Sequence, residues 1–150
     1  MSNSKPLDQS DSSGFEFSQE LLGGDSTFAI NFDRVQWDNA ENRFVIVEHL
    51  LCDEKQFERG ITPFTSHPNK YFNKDKHKFI LLWALAQKIG AKLYCVNYSK
   101  KGTRYEHEVL LMEVENVDET KDFPVTTINT KFTRNTFSVW FRELNSRGKR

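Results

Sequence analysis

The sequence predicts an α/β domain with a mixed β-sheet flanked by helices, and three observations predict it. Phe28 to Leu51 reads as two extended runs joined by the polar turn Asp38-Asn39-Ala40-Glu41-Asn42. Asp75 to Ile89 carries Phe79, Leu82, Trp83, Ala86 and Ile89 at helical spacing, with Gly90 to end it. The compact apolar run Ala91 to Tyr98 follows directly, as a buried strand would. The resulting order is helix, hairpin, helix, strand, strand, helix.

Each element has its own justification. Residues 1–13 are rich in Ser and Asp, with little to bury, and are expected to be disordered. Phe15, Leu21 and Leu22 give a short helix closed by Gly23-Gly24, with Glu16 and Glu20 four apart on one face. In the hairpin, Phe28, Ile30 and Phe32 alternate with Ala29, Asn31 and Asp33, and Val35 and Trp37 continue the run. Phe44-Val45-Ile46-Val47 is continuously apolar, as for a strand covered on both faces. Asn and Asp suit the turn because they tolerate left-handed dihedrals.

Cys52 to Asn73 reads as a long irregular connection, a length that in a compact domain points to function or mobility. It is basic and aromatic, and Lys74, Lys76 and Lys78 continue the charge into the helix start, where the helix dipole prefers acids. Tyr105 to Val114 reads as a further strand and Val125 to Ile128 as a short edge strand. Thr133 to Asn145 forms an amphipathic helix with Phe137, Trp140, Phe141 and Leu144 inward. A single domain over 14–146 is therefore expected, followed by a frayed basic tail at 147–150.

At 150 residues the chain is long enough for one domain with a real core. Net charge is zero, but residues 1–40 hold two basic and seven acidic side chains, and the last twenty hold six basic and one acidic. That asymmetry allows a local basic face for a polyanion and argues against indiscriminate electrostatic binding. Cys52 and Cys95 form neither a disulfide framework nor a Cys-x-x-Cys metal pair. With no secretory leader and no apolar run near membrane-spanning length, a cytoplasmic protein without a membrane partner is expected.

The chemistry concentrates on the hairpin. Asp33 lies in the first run and Glu48 directly follows the apolar second run. A carboxylate at the end of a buried strand costs several kcal/mol unless it is paired, hydrogen-bonded or metal-bound. Two on adjacent strands suit Mg²⁺ or Mn²⁺, which take hard oxygen ligands and keep several waters. Such an ion activates water against a phosphodiester, and a nearby lysine stabilises the developing charge.

The helix with Glu20, the strand with Asp33, Val45-Ile46-Val47-Glu48, and the helix and strand that follow together resemble the PD-(D/E)XK nuclease superfamily over residues 14–98. The resemblance implies a restriction-endonuclease-like fold, a metal-dependent endonuclease acting on DNA, and a metal site at the hairpin. In it Asp33 and Glu48 hold the ion, Glu20 matches an accessory helix glutamate, and the backbone carbonyl of His49 takes the place of the middle residue. The element departs from the pattern at Leu50, where a lysine is expected. Lys70, Lys74, Lys76 and Lys78, near the start of the long helix, are the candidates to replace it, with Lys55 as another, and the sequence does not choose among them.

Other readings of the same residues stay open. Asp33 could cap the hairpin or pair with Arg34, Glu20 could be a solvated helix residue, and the lysines at 70–78 a solvated face. His67 and His77 are expected at the surface. Lys55, Lys70, Tyr71, Lys74, Lys76 and Lys78 are expected to contact nucleic acid, with Tyr71 able to stack on a base. Without the lysine function, the chain would be a nuclease-fold module that binds nucleic acid or a protein partner, as a homodimer or as a subunit of a larger complex.

Overall fold

The computed structural model describes residues 12–149. Residues 12–31 and Phe32–Lys149 form two separate compact units, so the main unit begins at Phe32 and not at residue 14. In the first unit α1 spans Ser13–Leu22, and Gly23 closes it in a left-handed conformation (φ 56°), donating to the carbonyls of Gln19 and Glu20. None of its residues is buried. Of the tail expected to be disordered, residues 1–11 lie outside the described residues, and Ser13 is already helical.

The second unit is built on a five-stranded sheet in the order β1-β2-β3-β4-β5. The hairpin forms as expected from β1 (Arg34–Asp38) and β2 (Arg43–Leu51), antiparallel from Asp38↔Arg43 to Arg34↔Val47. Asn42 takes the left-handed conformation in its turn (φ 54°). The first strand is shorter than the alternation from Phe28 predicts. Its pairing stops at Arg34 because the next donor on β2, the His49 N–H, is taken by the Asp33 carboxylate at 2.7 Å. Phe28 is left exposed.

β2 outlasts its apolar run because it also pairs in parallel with β3 (Lys92–Tyr98), from Val45↔Lys92 to Leu51↔Tyr98. The parallel pairing requires a crossover. The connection between the two strands is ordered. It contains α2 (Glu54–Glu58), which opens on a capping box between Asp53 and Gln56, and a short 3₁₀ turn at Pro68–Lys70. The buried Asn97 amide pins it, donating to the carbonyls of Pro63 (3.1 Å) and Ser66 (2.7 Å). His67 caps the 3₁₀ turn and bonds Thr127 at 2.9 Å, so it is a half-buried structural residue and not a surface one.

The long helix α3 (Phe72–Ile89) starts three residues earlier than its apolar spacing predicts. It kinks at Asp75 (φ −113°, ψ 22°), between a short first helical turn and the regular remainder. β4 (Glu108–Val117) and β5 (Val125–Thr133) complete the sheet antiparallel, β5 running nine residues where a short strand was expected.

The helices lie on opposite faces. Phe79, Leu82 and Ala86 of α3 are buried on one. On the other, α4 (Arg134–Ser146), opened by a Thr133–Thr136 capping box, sets Leu144 against Val45, Val47, Val96, Val109 and Leu111. Phe137 and Trp140 pack on the same cluster.

The chain end is anchored at Arg147, whose Nε reaches both oxygens of the buried Asp38 at 3.1 Å. Its carbonyl accepts the Asn39 N–H at 3.0 Å, so residues 147–149 dock on the hairpin turn. Among the described residues no helix is long and apolar enough to cross a membrane.

Candidate functional site

Strand alternation divides β2 between the two faces of the sheet. Val45, Val47 and His49 point toward α4, and Ile46, Glu48 and Leu50 toward α3. Glu48 is thereby carried into the space between sheet and helix, where it is 3% exposed. Its Oε1 forms an ion pair with Nζ of Lys78, which lies on α3 and is about one-third exposed (33%). Its Oε2 is buried and has no hydrogen-bond partner among the described residues.

The β1–β2 register, continued one step beyond Arg34↔Val47, sets Asp33 opposite Glu48. Burial raises the Glu48 carboxyl above the ordinary glutamate range, Lys78 opposes that shift, and the neighbouring Asp33 charge adds to it. Asp33 itself is exposed, and its Oδ2 accepts from the His49 amide. The N–H and C=O of one strand residue point the same way. The His49 carbonyl therefore also lies on this side, past the last β1 pair.

A cleft of about 700 Å³ opens beside Lys78, lined by the ends of β2 and β3, by α2 and by the first turns of α3. Lys55, Arg59, Lys70, Lys74 and Lys78 line it, against the acids Asp53 and Asp75. The Asp53 carboxylate is committed to capping α2, where it accepts from the Gln56 amide.

The expected residues divide as follows. Lys55, Lys70, Tyr71, Lys74 and Lys78 line the cleft; Asp33 and Glu48 do not, and Glu48 is joined to it through its ion pair with Lys78. Lys78 is the lysine on the acidic pair; Lys70 and Lys74 line the cleft without an ion pair to Glu48. Lys76 turns away, pairing with Glu119 at 2.8 Å. Tyr71 is half-buried against Phe79, ring centroids 6.0 Å apart, and burial raises its phenol. The His49 ring is on the opposite face, near Tyr98 (6.1 Å) and Phe141 (6.4 Å), so only its backbone is oriented toward the acids. Burial lowers its imidazole. Glu20 is exposed on α1, in the separate N-terminal unit.

Two features went unused in the sequence. Lys78 stands four residues before Leu82 and eight before Ala86, so a lysine occupies the inward stripe of α3; that spacing was a readable signal. Arg59 follows α2 and joins the cleft only because the connection folds back on Asn97, which no local pattern announces.

The donor set suits a hard divalent ion: two adjacent carboxylates, one with an unpartnered buried oxygen, and a carbonyl on the same side. No group of three or more His, Cys, Asp or Glu side chains forms a metal site among the described residues. Cys52 and Cys95 are buried free thiols, raised by burial to about 11 and about 12, and offer no thiolate. Comparison with protein-family models, curated proteins and solved structures finds no match to this chain.

Proposed function

We propose that this protein is a metal-dependent nuclease that hydrolyses phosphodiester bonds of DNA at the Asp33–Glu48–Lys78 cluster, on the restriction-endonuclease-like plan. The observation that carries this proposal is the position of Lys78: its ammonium stands on Glu48, supplying from α3 the charge that Leu50 cannot. Asp33, Glu48 and the His49 carbonyl would hold Mg²⁺ or Mn²⁺. Bound there, such an ion supplies Lewis-acid polarisation and a water of lowered pKa.

The protein's own groups do the rest. Lys55, Arg59, Lys70 and Lys74 bind the phosphates of a strand lying in the cleft. Lys78 stabilises negative charge that builds on the phosphoryl oxygens at Glu48. The kinked first turn of α3 presents Lys74 toward the cleft while the regular part fixes Lys78 against the sheet.

A cleavage assay with Mg²⁺ on single-stranded, duplex and branched DNA tests this. Asp33→Ala, Glu48→Ala and Lys78→Ala should each lower the rate by about a hundredfold or more. Cleavage that survives both carboxylate substitutions overturns the proposal.

A second reading, a nuclease-fold module that binds DNA without cutting it, is favoured by one contact. Asp33 Oδ2 is already engaged by the His49 N–H, which makes Asp33 a cap of the hairpin ladder. Under that reading, binding persists in Glu48→Ala, falls in Lys70→Ala and Lys74→Ala, and no variant cleaves.

A further inference from the structure

The opposite face of the sheet has a concavity of its own. It is about 370 Å³ and lies under the first turns of α4, with Val96 and Val109 as floor. Its walls are the rings of Phe137, Phe141, Tyr98 and His49, and its polar groups are Arg134 and Ser138 at the rim. The two α4 rings are tilted 34° to each other at 6.0 Å. Three or four rings around a space this size, with few polar groups, suit one planar heteroaromatic group better than an aliphatic chain or an ion.

This concavity and the cleft lie on opposite sides of the end of β2. His49 borders both, and a third hollow along the strand ends shares Leu51, Asp53 and Lys55 with the cleft and adds Lys100. Lys55 and Lys100 line that hollow together with the acids Asp53 and Glu54, and Arg134, at the rim of the concavity, also donates from Nη1 to the carbonyls of Ser99 (2.9 Å) and Glu106 (2.8 Å). Glu48 and His49 are consecutive and point to opposite faces, so the acids and the rings lie on opposite sides of the end of β2.

We propose that the aromatic concavity takes one unstacked base of a single DNA strand that crosses the ends of β2 and β3, its backbone lying in the basic cleft. The proposal rests on the nucleic-acid reading above and deepens it: the substrate is a strand with an accessible base, not an undistorted duplex. Phe137 and Phe141 stack on the base, Val96 and Val109 limit its depth, and Arg134 and Ser138 meet its polar edge.

The test uses the whole chain with a chelator present, so that binding is measured without cleavage. A short single-stranded oligonucleotide is scanned with one abasic site at each position. One position should lower affinity about tenfold and its neighbours little, the size expected for one base stacked on aromatic rings. A fluorescent adenine analogue at that position should be quenched on binding. Ser138→Leu, an exposed helix position where a larger side chain fills the space, should abolish both effects and leave backbone binding.

A flat abasic profile, an unchanged profile in Ser138→Leu, or no binding of any strand overturns the base site. Cleavage is measured separately with Mg²⁺. A flat profile with Glu48-dependent cleavage rejects the pocket alone, and a position-specific profile without cleavage rejects the hydrolytic reading alone.

Discussion

Burial opposes ionisation of Glu48 and raises its carboxyl, the Asp33 charge adds to the shift, and Lys78 offsets part of it. A raised carboxyl binds its proton more tightly folded than unfolded. Stability from this group is therefore present below the unfolded value of about 4.3 and declines as pH rises through the raised folded value. Glu48→Gln removes that slope. Thermal melts should show the variant gaining on the native protein as pH rises above about 4, and a constant difference would contradict the burial account. A divalent ion acts in the opposite sense, favouring the charged form. Mg²⁺ at about a hundred times its dissociation constant should raise native stability by about 3 kcal/mol at neutral pH and leave Glu48→Gln unmoved. Ion affinity should also increase with pH across the same window.

Among the elements, the hairpin is held from outside as well as by its own ladder. Burial opposes ionisation of Asp38, but the Arg147 guanidinium and the amides of Ala40 and Glu41 overcome this and hold its carboxyl below the ordinary range. A depressed carboxyl stabilises above the unfolded value of about 3.9, and that contribution is lost as pH falls through the folded value. Arg147→Ala should cost about 3 kcal/mol at pH 7 by chemical denaturation, since it leaves the buried Asp38 charge without its partly exposed cation. The difference from the native protein should shrink in acid. Asn97→Leu should cost about 2 kcal/mol and free the connection that carries Lys70, leaving the Pro63 and Ser66 carbonyls unpaired. Hydrogen exchange over residues 61–71 would register it.

These two anchors show what was legible in the sequence and what was not. The apolar runs announced β2, β3 and both long helices, because periodicity is local. The end of β1 depends on a side-chain cap from Asp33 to a strand sixteen residues on, and the docked chain end on a pair 109 residues apart. Neither leaves a periodic trace. Glu48 was legible as a carboxylate after an apolar run. Its lysine was hidden because a charge cluster at 70–78 says nothing about which member faces inward until helical phase is read against Leu82 and Ala86.

At the scale of the whole molecule, zero net charge and a basic cleft make different demands on a nucleic acid. Long-range attraction is weak, so binding has to come from cations that touch phosphates. Lys55, Arg59, Lys70 and Lys74 line the cleft, whereas Lys76 is held on Glu119 and Lys78 on Glu48. If the four lining cations each meet one phosphate of a single strand, the logarithm of affinity should fall with the logarithm of salt at a slope of about −3. Lys70→Ala and Lys74→Ala should each reduce that slope by about 0.7, with weaker binding across all sequences, as for contacts that read no base. Lys76→Ala should leave it unchanged, because its charge is spent on the β4–β5 turn. Equal losses for Lys74→Ala and Lys76→Ala, measured by anisotropy titration over a range of salt, would mean that the strand follows the outer face of α3 and not the cleft beside Lys78.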